Sequence, residues 1–206
     1  MVTRYECLEA LAPLVGDALV VMSPGGVENE WFHLRPGPGT MRLMMGAVIP
    51  ICVGLTLALP RRRVIALDAD GGVLINLGAL CTVGVLKPPN LTVIVMDNEC
   101  YESIGGIPSH TALGTDLAAL ARGAGIPHAV TTRTVEEFRA AAEAALTAQA
   151  AHCIVAKVRP GAKDLPVFAM DGVEMKYRFI RHIEATEGVR VLEGAPQPMP
   201  AHMLAT

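Results

Sequence analysis

ALDADGGVLINLGALCTVGVLKPPNLTVIVMDNECYESIGG, residues 66–106, holds two apolar runs that each end in acidic residues at a turn. Val64 to Leu67 reads as a strand that stops at Asp68-Ala69-Asp70-Gly71-Gly72, and a helix is predicted from about Val73 to Val85. Lys87-Pro88-Pro89-Asn90 breaks that helix. Leu91 to Met96 then forms a continuous apolar run, the pattern of a strand buried on both faces. A strand, a helix and a second buried strand in this order predict parallel pairing with a crossover helix. After Asp97-Asn98 an irregular loop runs from Glu99 to Leu113, with Gly105-Gly106 and Pro108. Such a loop at the end of a parallel strand is where function tends to sit.

The flanking sequence repeats the alternation. Arg4 to Leu14 has helical spacing, and Ala18 to Met22 is a short strand ending at Ser23-Pro24-Gly25-Gly26. Arg35 to Thr40 is a loop rich in Gly and Pro. Leu43 to Pro60 is uncharged and reads as a helix covered on all sides. Its length also allows a membrane span, but Gly46, Pro50 and Gly54 interrupt it and an α/β core follows directly. Thr115-Asp116 caps a helix to about Arg122, and Thr134 with Glu137 forms a capping-box pattern for a helix to about Ala148. His152 to Val158 is another buried strand. A last helix runs from Asp171 to about Ala185, and the end from about 186 to 206 is expected to be mobile. The 206 residues fit one α/β domain, a three-layer doubly wound parallel sheet with its core over about 3–185.

Composition narrows the function. A net charge of −3, with no basic run longer than Arg61-Arg62-Arg63, argues against nucleic acid and polybasic membrane anchoring. Cys7, Cys52, Cys81, Cys100 and Cys153 are odd in number and lack metal-ligand spacing, so a reducing cytoplasm is the default expectation. Cys81, Met44 and Met45 read most simply as core packing. His33, His128, His152 and His182 show no ligand spacing.

The chemistry concentrates on Asp70 and Asn98, 28 positions apart at the ends of two strands that should be neighbours. Mg²⁺ takes oxygen ligands in an octahedron and usually shares them with phosphate and water. Asp70 offers a carboxylate oxygen, Asn98 an amide oxygen and Cys100 a backbone carbonyl. Gly71 and Gly72 let the backbone come close to a diphosphate. His110 lies in the following loop as a candidate acid, base or anion partner, and Tyr101 lines the same mouth.

This stretch resembles the pyrophosphate-binding domain of thiamine diphosphate enzymes, whose motif opens with Gly-Asp-Gly and closes with Asn-Asn or Asp-Asn. It looks closest to the β-subunit type of sulfopyruvate and phosphonopyruvate decarboxylases. The resemblance implies a thiamine diphosphate-binding fold, with Asp70, Asn98 and the Cys100 carbonyl as ligands of Mg²⁺. Upstream, Gly39-Thr40-Met41 resembles the family's Gly-Ser-Met-Gly segment, in which the glycine carbonyl accepts a hydrogen bond from the cofactor and the large apolar residue wedges it into a bent shape. Downstream, DGVEMKYRFIRHIE resembles the family's closing helix. Ala69 for the first Gly, Gly72 for a phosphate-bonding Ser, Arg42 for the last upstream Gly, and Ile107 with Ser109-His110 in place of Gln-Pro-Thr depart from the pattern.

The implied activity is decarboxylation of a small anionic 2-keto acid. Carboligation, oxidative transfer or a cofactor-free scaffold are the alternatives on the same domain. The family's activating glutamate comes from a pyrimidine-binding (PYR) domain, for which no second α/β pattern is found in this sequence. The resemblance therefore implies a partner chain in a heterodimer or heterotetramer.

Overall fold

The computed structural model describes residues 2–192. Six parallel strands form one sheet in the order β2-β1-β3-β4-β8-β7. In chain order these are β1 (Leu19–Met22), β2 (Thr40–Arg42), β3 (Val64–Ala69), β4 (Leu91–Asp97), β7 (His128–Thr132) and β8 (His152–Lys157). A separate antiparallel hairpin pairs β5 (Cys100–Tyr101) with β6 (Ile107–Pro108).

Alternate strand residues feed opposite faces, as a two-residue period requires. Leu19, Val21, Val64 and Ala66 pack with α3 (Val48–Ala58), α5 (Gly78–Leu86) and α6 (Leu117–Gly123). Val20, Met22, Ile65 and Leu67 pack with α1 (Arg4–Leu11), α2 (Gly26–Leu34) and α7 (Val135–Thr147). The result is the three-layer, doubly wound arrangement. Because β4 is buried at every position, its sequence shows no alternation and reads as one apolar run.

The chain runs outward from β1 to β2 and then returns to β3, so the strand order reverses between β1 and β3. Helix α2 leaves β1 toward one face, whereas α4 (Asp70–Ile75) leaves β3 toward the other. A crevice opens at the carboxyl ends where two such connections diverge.

Several elements differ from expectation. The helix predicted from Val73 to Val85 begins at Asp70 and splits into α4 and α5, because Asn76 leaves helical geometry and its amide donates to the Gly46 carbonyl at 3.0 Å. Helix α3 spans only Val48–Ala58; Pro50 lies in its first turn, where a missing N–H costs nothing. It is not covered all round, since Ile51 and Leu57 are exposed. No helix among the described residues is long and apolar enough to cross a membrane. Helix α2 and strands β2 and β7 have no counterpart in the sequence reading. The closing helix α8 (Gly172–Glu187) outlasts its predicted end near Ala185, and the rest of the expected mobile end, 193–206, lies outside the described residues.

Candidate functional site

Register brings the acidic turn and the Asp-Asn pair together. Ala69 of β3 pairs with Met96 of β4, so Asp70 and Asp97 leave the sheet side by side. Ala69 itself is extended (φ −107°, ψ 162°), so replacing glycine there causes no strain. Asp70 is fully buried, and Asp97 and Asn98 are nearly so.

The turn after the hairpin folds back beneath Asp70. Ser109 is held at the hairpin base by its N–H, which donates to the Glu99 carbonyl. Its hydroxyl donates to Asp70 Oδ2 at 2.5 Å. Thr111 Oγ1 lies 2.7 Å from Asp97 Oδ1 and 3.2 Å from Asp70 Oδ2. Asp97 Oδ2 forms an ion pair with Lys157 Nζ at 2.8 Å, and the same ammonium reaches Glu99 Oε1 at 2.8 Å. Glu99 itself is in a left-handed conformation (φ 62°) unusual for a residue other than glycine. Asp70 Oδ1 is buried with no hydrogen-bond partner among the described residues. Burial raises the Asp70 carboxyl above its ordinary range, the Ser109 bond opposes this, and the neighbouring Asp97 adds to it.

Asp70 opens onto a cavity of about 240 Å³ at the strand-order reversal. Gly71, Asn98, Cys100 and Tyr101 line it from the β3 and β4 side, and Ser23 to Gly26 from the β1 side. Gly71 is required by close approach, since a Cβ there would fall 2.4 Å from Tyr101 Cε1. Gly72 is also forced, because its Cβ would fall 2.1 Å from Asp68 Oδ1. Asp68 is 1% exposed, and burial pushes its carboxyl up to about 6 against a hydrogen bond from the Ala69 N–H. On the far wall Arg4 is buried, with Nε 2.9 Å from Glu30 Oε2 and Nη1 3.1 Å from Glu102 Oε2.

Of the sequence-predicted residues, Asp70, Gly71, Asn98, Cys100 and Tyr101 line the cavity together, with Gly72 just behind. Gly39, Thr40 and Met41 do not. Gly39 sits at the opposite end of the strands beside His182, and its carbonyl already accepts from the Val20 N–H at 2.9 Å. Thr40 is buried against Trp31 Nε1, and Met41 packs on the core. The side chain that enters the cavity is Met45, whose Cε comes within 3.2 Å of a Cβ built on Gly71. Arg42 pairs with Glu28 at 2.8 Å and stays out of the cavity. His110 is exposed in a 3-10 turn outside the cavity wall. Cys81 and Met44 are exposed, so neither packs the core.

The β1 side of the cavity is new. Its signal in the sequence is Pro24-Gly25-Gly26 directly after a buried strand, followed by Val27 and Trp31 one helical turn apart. Ser109 and Thr111 carried no signal, because a hydroxyl in a loop is ordinarily solvated.

Residues 29–156, more than half of the chain, match the thiamine pyrophosphate enzyme C-terminal TPP-binding domain. The chain belongs to this family. Sulfopyruvate decarboxylase subunit beta of Methanocaldococcus jannaschii is 30% identical over 88% of this chain and 97% of its own length. Phosphonopyruvate decarboxylase of Streptomyces viridochromogenes is 33% identical over 79% of this chain and 41% of its own. The benzoylformate decarboxylase structure from Polynucleobacter necessarius shares the fold, with a TM-score of 0.64 at 18% identity, covering 79% of this chain and 34% of that one. This thiamine pyrophosphate family member thus carries the reversal-point cavity on a fold common to larger decarboxylases.

Proposed function

We propose that this chain is the diphosphate-holding, pyrophosphate-binding subunit of a heteromeric, Mg²⁺-dependent thiamine diphosphate enzyme that decarboxylates a small anionic 2-keto acid. The observation that supports it is Asp70 Oδ1, a buried carboxylate oxygen without a partner among the described residues, on a residue that lines the cavity. A buried carboxylate is stabilised by a cation, and Lys157, the nearby ammonium, is engaged by Asp97 and Glu99. Among the described residues no cluster of three His, Cys, Asp or Glu side chains is poised for a metal. The donor set here is instead one carboxylate, one amide and one backbone carbonyl, the oxygen chemistry that suits Mg²⁺ alongside a phosphate ligand.

In this reading Asp70, the Asn98 amide and the Cys100 carbonyl hold Mg²⁺. Gly71 and Gly72 bring the backbone close to the diphosphate, and Tyr101 closes one wall. The wedge role expected of Met41 passes to Met45, because Leu43-Met44-Met45-Gly46 also ends in Met-Gly and its Met45 faces the cavity. Thiamine diphosphate, when bound, supplies the electron sink that decarboxylation of a 2-keto acid requires. The chain's own work is to bind, orient and exclude water. His110, exposed, is left as a peripheral candidate for meeting the anionic substrate.

A separate pyrimidine-binding partner with the activating glutamate is supported by the relatives named as beta subunits, which this chain matches almost end to end. A cavity of about 240 Å³ is also smaller than the roughly 300–1,000 Å³ of complete small-molecule sites. Met44 and Ile104, each next in sequence to a cavity-lining residue, are more than half exposed, as an uncovered interface would be. The names of the relatives, which point to a sulfonated and a phosphonated pyruvate, support a small anionic 2-keto acid. Five free cysteines, three of them buried, support a reducing, cytoplasmic setting.

Asp70→Ala tests this reading. A ligand that binds only the native state raises the melting temperature by mass action. Wild type should melt higher with Mg²⁺ and thiamine diphosphate, and the variant should show no cofactor-induced rise; an equal rise in both would remove Asp70 from the site.

A further inference from the structure

Ser109 and Thr111 are side chains of a loop, yet Ser109 is fully buried and Thr111 5% exposed. The β5–β6 hairpin explains how they come to be buried. It reverses the chain so that Ser109 returns beside Glu99 and the two hydroxyls reach under the carboxylates that follow β3 and β4. A hydroxyl has one proton to donate. The shortest contacts assign the Ser109 proton to Asp70 Oδ2 and the Thr111 proton to Asp97 Oδ1. The two hydroxyl oxygens lie 2.8 Å apart, so the two carboxylates are approached from one small cluster.

The consequence is an asymmetry at Asp70. Oδ2 is tied into the protein, whereas Oδ1 is buried without a hydrogen-bond partner among the described residues, on a residue that lines the cavity. Asp97 Oδ2 is also buried, but the Lys157 ammonium 2.8 Å away balances its charge. We infer that Ser109 and Thr111 are positioning residues that fix Asp70 with one oxygen presented to the cation, so that the 107–113 segment sets metal affinity. The inference rests on the reading of Asp70 as a metal ligand. Carboxylate ligands are oriented by the hydrogen bonds on their outer oxygens, and losing such a bond weakens metal binding by roughly 10- to 100-fold.

The test measures Mn²⁺, in place of Mg²⁺, binding to the full chain in the presence of thiamine diphosphate, by the electron paramagnetic resonance signal of the free ion. Ser109→Ala and Thr111→Val should each weaken Mn²⁺ binding about tenfold, ~1.4 kcal/mol. Ser109→Thr, which keeps the hydroxyl, should stay within about threefold of wild type. A role confined to packing would lower the melting temperature of the metal-free chain and leave Mn²⁺ affinity unchanged, which overturns the inference. If Ser109→Ala does not fold, Thr111→Val and the Ser109→Thr rescue decide. Asp70→Asn, run in parallel, separates the two levels. Loss of Mn²⁺ in Asp70→Asn with wild-type affinity in Ser109→Ala and Thr111→Val refutes positioning alone, whereas wild-type affinity in Asp70→Asn, or no Mn²⁺ uptake by wild type, refutes the site as well.

Discussion

The rim at the ends of β3 and β4 and the segment around β2 both approach the cavity, but they are held differently. Strands β3 and β4 are paired on both sides and buried along almost their whole length, so Asp70 and Asn98 are fixed by two ladders of backbone bonds. Strand β2 has three residues and one neighbour at the sheet edge, and a connection of five residues links it to α3. Position in the first region follows from counting residues along a strand. In the second, a motif can slide by four residues without breaking any pattern visible in the sequence, and here Met45 rather than Met41 lines the cavity.

Paired truncations at the two methionines should separate the two regions by the widest margin. Met45→Ala, assayed with the partner chain, should lower kcat at least about tenfold, ~1.4 kcal/mol of transition-state stabilisation. Met41→Ala should leave kcat near wild type and instead lower the melting temperature, because a core methionine truncated to alanine costs roughly 2–5 kcal/mol when buried, less for this partly buried one. The reverse result would restore Met41 to the cavity.

The central rim also stores a cost that the edge does not. Asp68 is buried without an ion pair, and its carboxyl rises from an ordinary 3.8 to about 6. With the folded value above the unfolded one, the folded chain binds the proton more readily. Stability through this group therefore falls as pH rises from about 4 to about 6 and stays low above it, by on the order of 2–3 kcal/mol. Asp68→Asn should remove that slope and raise the melting temperature of the cofactor-free chain at pH 7. Identical pH dependence in both proteins would show that Asp68 keeps its ordinary pKa.

Much of the fold was legible because its signals are local and strong. Continuous apolar runs gave β4 and β8, and Thr134 caps α7 through the Glu137 N–H as its spacing implied. Helix α2 and β7 were hidden: α2 carries three charged or ionisable residues on a nine-residue helix, and β7 exposes three of its five residues. At the site, Asp70 and Asn98 were legible from strand ends, while Ser109 and Thr111 were not, since only the hairpin's reversal buries them. His110 is a titratable residue in the same loop that is exposed and lies outside the cavity lining. The smallest effect is therefore expected there: His110→Ala should keep kcat/KM within about twofold, well under ~1 kcal/mol, and a larger loss in steady-state assays would bring it to the substrate.

If the cavity beside Asp70 is half of a catalytic site, cofactor-dependent decarboxylation requires a second chain. The purified chain, given Mg²⁺, thiamine diphosphate and a panel of small anionic 2-keto acids, should be silent alone and active once the pyrimidine-binding chain is added. Robust cofactor-dependent turnover by this chain with no other polypeptide present would contradict the account.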